Sequence, residues 1–312
     1  MQEDKDISSS YVANCVINAF LSYTAIMLNS ITIHAIRKTS SLSKPLKTLL
    51  LSLAVSDLGV GLIVQPLYIT CLVMELQQNK ENNQTFNATS IAYRITGFIF
   101  TFASFFGVMS LSADRFLAIN LHLRYQELVT HKRVVASVIS TWVLSAIISS
   151  MYDYWNLGDI FKVIMGVVST ACIITTTIFN FKIYVTIRRH VHQIQALQVR
   201  HVAQNEEIVN VRRLKKSAFT AVYVYLVFLI CYMPQTCWRI ADGSQESAIP
   251  NTDAAHYFLP LVCLNSSLNP LIYCWKMREI RHNITNIFRN AFSCNNWSWL
   301  QLTLKVLNCE MP

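Results

Sequence analysis

Apolar residues in this chain gather into seven long runs, with the polar residues between them. The runs are Tyr11–Ile36, Thr48–Met74, Ile95–Ala113, Val134–Tyr152, Val163–Phe181, Ser217–Trp238 and Ala254–Trp275. Each is close to or above the ~20 residues that a helix needs to cross a bilayer. A spanning strand would alternate polar and apolar positions over about ten residues, and these runs do not alternate. A helix satisfies its own backbone in hydrocarbon, so the pattern predicts an all-α bundle of seven transmembrane helices. Within the seven runs only Asp57 carries a formal charge.

The connecting segments give an orientation. Residues 37–47, 114–133, 182–216 and 276–312 hold 21 of the 26 Lys and Arg. The alternate segments, 1–10, 75–94, 153–162 and 239–253, hold the other five, with ten acids. Basic loops stay on the cytoplasmic side. The expectation is therefore a short extracellular N-terminus (1–10), a transmembrane domain (11–275) and a cytoplasmic tail (276–312) in the plasma membrane. Two N-glycosylation sequons, at Asn83 and Asn87, fall in the predicted first outer loop and agree with this. The first ten residues are acidic and the first run is too long for a signal core, so that run reads as a retained anchor.

Composition sharpens the picture. The chain has 312 residues, 53% hydrophobic and 14% charged, against about a quarter charged in soluble domains. The formal charge of +9 does not point to nucleic acid, because the basic residues are scattered among apolar spans. Nine cysteines are present, with no CxxC pair and no zinc-ligand spacing; in apolar runs they read as small hydrophobes.

Polar groups at bilayer depth are costly and usually functional. Asp57 lies mid-span in LSLAVSDLGVG, and a buried carboxylate there must be paired, protonated or bound to a cation. Ser104, Asn265, Ser266 and Asn269 are candidate partners, and Asn29 can hydrogen-bond across helices. A polar network that only fixes packing and one that holds a cation and switches both explain these residues. Pro270, inside NSSLNPLIYCWK, removes a backbone donor and predicts a kink. Pro234, in FLICYMP, predicts another. Asp114-Arg115 closes the third run, where an interfacial arginine can simply snorkel to headgroups.

Taken in order, these residues resemble the rhodopsin-like (class A) family of G-protein-coupled receptors. The resemblance rests on Asn29, LAVSD ending at Asp57, DRF at 114–116, Trp142, FLICYMP at 228–234 and NPLIY at 269–273. It implies that Asp57, Ser104, Asn265 and Asn269 form a sodium site. No other cofactor is expected. It further implies that Arg115 is held by Asp114 at rest and reaches a heterotrimeric G protein when active, that Tyr273 swings inward, and that Leu123 packs into the G protein. The basic run VRRLKKSAF, with Lys215 and Lys216, suits a G protein or anionic lipid, and a solvated helix face explains it as well.

The sequence also departs from the family's pattern. DRF replaces Asp-Arg-Tyr, Tyr232 stands at the usual tryptophan, Leu214 replaces a locking acid and Thr176 a proline. Ser90 stands where a disulfide cysteine belongs, and the second outer loop has no cysteine, so the usual disulfide is absent. These last features resemble the melanocortin, cannabinoid and adenosine receptor branch. The expected ligand pocket is lined by Tyr68, Tyr93, Arg94, Gly97, Thr101, Tyr232, Gln235, Arg239 and His256. Gly97 removes the amine-receptor aspartate, and Cys263 the retinal lysine. Arg94 and Arg239 either receive an anionic ligand or face water.

After Trp275, Met277, Ile280, Ile284, Ile287, Phe288 and Ala291 keep helical spacing. They predict an amphipathic helix on the inner membrane surface, followed by Cys294 as a palmitoylation candidate. The sequence reading is a receptor that is not an enzyme and that takes a small-molecule, lipid or peptide ligand. A transporter or ion-conducting protein is the alternative, with a non-signalling receptor-fold partner as a third. The missing internal repeat counts against many transporters.

Overall fold

The computed structural model describes residues 2–77, 84–121, 124–154, 158–199, 205–242 and 253–292. Each apolar run lies on a helix. They are α1 (Gln2–Lys38), α2 (Lys44–Gly59) continuing through a π turn (Val60–Val64) into α3 (Gln65–Leu76), α4 (Gln84–Leu121), α6 (His131–Tyr154), α7 (Gly158–Val199), α8 (Asn205–Asp242) and α9 (Asp253–Lys276). Two short elements join them at one end: α5 (Tyr125–Leu128) and α10 (Arg278–Phe292). No strand occurs among the described residues.

The helices overrun the apolar stretches. α1 starts at Gln2 rather than near Tyr11, and α4 begins eleven residues before Ile95. Hydropathy marks where lipid begins, whereas backbone hydrogen bonding carries a helix on into water. Six helices of the described residues are long and apolar enough to cross a membrane. The seventh, α9, is diluted by Asn265, Ser266, Ser267 and Asn269 but packs between α1 and α8 as part of the same bundle.

The outward face is lipid-like. Val16, Phe20, Ile139, Val167, Phe181 and Ile230 all stand exposed, on four different spans, a pattern that water would not tolerate over so wide a surface. Inside, Leu50, Leu53, Val108, Val224, Phe228 and Tyr273 form the main core. In α10, Ile280 is fully buried and Ile284 and Ile287 pack against that core, so the predicted apolar stripe faces the bundle. The amide of Asn283 ties α10 to Thr39 at the end of α1, at 2.7 Å.

The second span is not one uniform helix, as its apolar pattern suggests. Across the π turn the Gln65 N–H donates to Val60 O, five residues back. The carbonyl of Gly61 then has no donor, because the next N–H in line would belong to Pro66, which has none. Ser22 of α1 donates its hydroxyl to that carbonyl at 2.8 Å. The helices can approach this closely because residue 61 is glycine. A Cβ there would lie 3.1 Å from both the Ser22 carbonyl and the Ile26 side chain.

α9 repeats the device. It runs through Pro260 and Pro270, and Pro270 deprives Ser266 O of its intrahelical donor. Asn29 of α1 donates to Ser266 O at 2.8 Å, and to Ala25 O at 2.9 Å. The polarity and proline of NSSLNPLIYCWK thus meet a matching group on another helix.

Candidate functional site

Asp57 is fully buried on α2. The amide of Asn269, one residue before Pro270, donates to its Oδ2 at 2.9 Å. Ser104 of α4 joins the same layer, its hydroxyl 3.3 Å from that of Ser56. Trp142 of α6 donates its indole N–H to Ser52 at 3.2 Å. Four helices and α1 therefore converge on the level of Asp57.

This layer is rich in acceptors. Asp57 Oδ1, Asn29 Oδ1, Asn269 Oδ1, both polar atoms of the Asn265 side chain and Tyr273 OH are all buried without a protein partner. Buried polar groups are normally satisfied, by ordered water where protein is lacking. Most of these atoms are oxygens, the donor set that a hard cation takes. Ser104 Oγ, Asp57, Asn265 and Asn269 therefore fit a sodium ion by chemistry.

Beside this layer lies an aromatic cluster. Phe228 and Tyr232 of α8 stack at 4.4 Å, and Phe105 of α4 meets them edge-on at 4.7 and 5.0 Å. Farther out, Tyr68 and Tyr93 approach at 5.4 Å. Gly97 faces α2–α3 with Val64 3.9 Å from where its Cβ would sit. Thr101 and Gln235 are half-buried. Arg94 is half-buried too, rather than turned to open water, and it shares the surroundings of the Cys71 thiol with Ser90 and Glu75.

At the opposite end, Arg115 is buried and its guanidinium donates to Asp114 through Nε at 2.9 Å and through a terminal nitrogen. Tyr125 of α5 donates its hydroxyl to the other Asp114 oxygen at 2.7 Å. Burial, and then the Asp114 carboxylate, push the Tyr125 phenol far above its ordinary range, so it remains protonated and able to donate. Asn180 of α7 donates to Ser112 one turn away, at 2.9 Å. Between α8 and α9, the Lys276 ammonium sits 4.0 Å from the centre of the Tyr223 ring and 3.5 Å from that of Trp275. The two rings are 5.6 Å apart.

Several of these residues escape a sequence reading. Tyr125 lies in a loop with no pattern of its own, and only its position eleven residues past Asp114 offers a signal. Ser22 looks like an ordinary small residue in an apolar run. Lys276 reads as a membrane-edge cation rather than one drawn over two rings. Leu123, Asn83 and Cys294 lie outside the described residues, as do the side chains of Arg239, His256, Lys215 and Lys216. Asn87 is exposed near the start of α4.

The chain has relatives of known class. The model of the 7 transmembrane receptor (rhodopsin family) matches residues 28–157. Melanocortin receptor 3 of Rattus norvegicus is 22% identical over 270 residues, covering 86% of this chain and 82% of the relative. The histamine H2 receptor of Rattus norvegicus is 24% identical over 296 residues, covering 87% and 78%. Adenosine receptor A3 of Canis lupus familiaris is 22% identical over 307 residues, covering 91% and 93%. The matched segment holds Asn29, Asp57 and Asp114-Arg115, and the bundle brings NPLIY of α9 against them. Its apolar helices make the chain a multi-pass membrane protein, and over residues 28–157 and along these relatives it is similar to the rhodopsin-like (class A) family of G-protein-coupled receptors.

Proposed function

We propose that this receptor carries a signal from an outer ligand pocket to a G protein by rearranging the polar layer around Asp57. The observation that carries the reading is the Asn269–Asp57 hydrogen bond beside so many unpartnered buried acceptors. A layer with few direct bonds to its carboxylate and several buried polar groups left unpartnered has room for two arrangements close in energy, and a ligand shifts their balance by its differential affinity. Asp57, Ser104, Asn265 and Asn269 would hold a sodium ion, which supplies positive charge to the carboxylate and favours the resting arrangement. Tyr273, buried with its hydroxyl unpartnered, has a polar group to offer the alternative one.

The loop charges support an N-terminus outside and a tail inside. On that orientation Arg115, Leu123, Lys215 and Lys216 form the G-protein surface, Asn83 and Asn87 carry glycans, and Cys294 carries a palmitate. The ligand enters among Tyr68, Tyr93, Arg94, Gly97, Thr101, Tyr232, Gln235, Arg239 and His256. The names of the relatives suggest melanocortin, histamine or adenosine ligands. Gly97 offers no carboxylate to an amine, which weighs against histamine. Arg94 and Arg239 favour a ligand with an acidic group, and Arg239→Ala should then weaken its potency.

The test is guanine-nucleotide exchange on G proteins in membranes bearing the chain, with sodium present or replaced by choline. Exchange should rise when sodium is withdrawn, and Asp57→Asn should abolish that dependence at equal surface expression. Exchange indistinguishable from empty membranes under both conditions, with the protein shown at the surface, would overturn the reading.

A further inference from the structure

A groove of about 460 Å³ lies between the inner ends of α4 and α7, outside the polar layer. Leu117 and Leu121 of α4 and Phe181 and Val185 of α7 give it apolar walls. Lys182 and Arg189 stand on the same wall of α7. Positions 182, 185 and 189 are spaced to share one helix face. The Lys182 ammonium lies 5.7 Å from the Phe116 ring centre. Neither cation has a carboxylate partner among the described residues. The acid on the neighbouring stretch of α4, Asp114, is already taken by Arg115 and Tyr125.

The depth of the groove identifies its occupant. The apolar run of α4 ends at Ala113 and that of α7 at Phe181, and the groove residues lie at or beyond these ends, with Lys182 the first cation past Phe181. The groove therefore straddles the boundary between hydrocarbon and headgroups. Phe181, at its deeper end, is 66% exposed, so the groove opens on lipid rather than on the bundle interior. A soluble anion has no use for four apolar walls, and a neutral lipid has none for two unpaired cations. We propose that this groove binds one anionic glycerophospholipid, with its phosphate at Lys182 and Arg189 and an acyl chain along Leu117, Leu121, Phe181 and Val185. Basic residues at a membrane surface attract such headgroups. The bound lipid would brace α4 against α7 one residue beyond Arg115.

The inference rests on this end of the bundle meeting a membrane surface, and it is tested where leaflet identity plays no part. The purified full chain in detergent is titrated with phosphatidylserine or phosphatidylcholine, and bound lipids are counted by native mass spectrometry. The wild type should retain phosphatidylserine in preference to phosphatidylcholine. Lys182→Gln with Arg189→Gln should weaken that retention on the order of tenfold. Lys44→Gln with Lys132→Gln removes the same charge from exposed sites elsewhere and should leave it intact. Val185→Trp keeps both cations, fills the trough and should also expel the lipid. Equal losses in both charge pairs, equal retention of both lipids, or displacement by inorganic phosphate alone would each overturn the site. Should the double variant not fold, a photoreactive phosphatidylserine on the wild type must label residues 116–121 or 181–189, and labelling only elsewhere refutes the site. G-protein exchange measured on the same samples separates failure of the lipid site from failure of the receptor reading.

Discussion

At two of the carbonyls in this bundle that lose their donors to a proline, Gly61 and Ser266, α1 supplies the replacement. At Gly61 the neighbours are tight, and an added Cβ would press on Ser22 O and Ile26 at 3.1 Å. At Ser266 the neighbours are polar and under-satisfied: Asn265 has no partner at either polar atom, and Asn29 and Asn269 each keep a free oxygen. The same repair therefore makes a fixed joint in one place and an adjustable one in the other. What surrounds a helix defect, more than the proline itself, decides whether the helix there can move.

The contrast can be broken most severely at Asn29. Asn29→Leu takes the side-chain donor away from the buried Ser266 carbonyl, which costs about 1–3 kcal/mol. The midpoint for heat-induced loss of the monodisperse protein should fall on the order of 5 °C, and basal G-protein exchange should change with it. Pro270→Ala sharpens the same point by returning an N–H to that carbonyl. In the Pro270→Ala background Asn29→Leu should cost less than half as much, a coupling that a double-mutant cycle of melting temperatures would read. Fully additive losses would show that Asn29 is not serving the proline-orphaned carbonyl. At the fixed joint, Ser22→Ala should cost about 1 kcal/mol of stability and leave basal exchange unchanged. The smallest effect belongs to Lys276→Gln, which removes a cation from the Tyr223 and Trp275 rings for about 0.5–1 kcal/mol. Because those rings join the middle of α8 to the C-terminal end of α9, a slight rise in basal exchange is the expected sign.

The contrast also shows what a sequence can carry. The seven helices are legible because lipid imposes one rule over some twenty residues at a time, and Asp57 stands out because it breaks that rule alone. The polar residues flanking Pro270 are equally visible, since each is out of place in an apolar run. Where they reach is another matter. That the Asn29 amide closes Ser266 O depends on how far α9 is rotated toward α1, and rotation is set by packing across 237 residues of separation. The π turn is hidden for a similar reason. Pro66 alone is compatible with an unbroken α-helix, and only the nearness of Ser22 makes the alternative hydrogen bonding affordable. Tyr125 lacks even a periodic pattern, since a four-residue helix is too short to show one.

Ser90 faces the Cys71 thiol where α3 ends and α4 begins, and all seven described cysteines are free. Among the described residues these helix ends are thus joined by noncovalent contacts and not by a covalent staple. With no disulfide among the described residues, dithiothreitol in the medium is expected to leave the yield of folded protein unaltered, which a comparison of monodisperse protein made with and without the reductant would check.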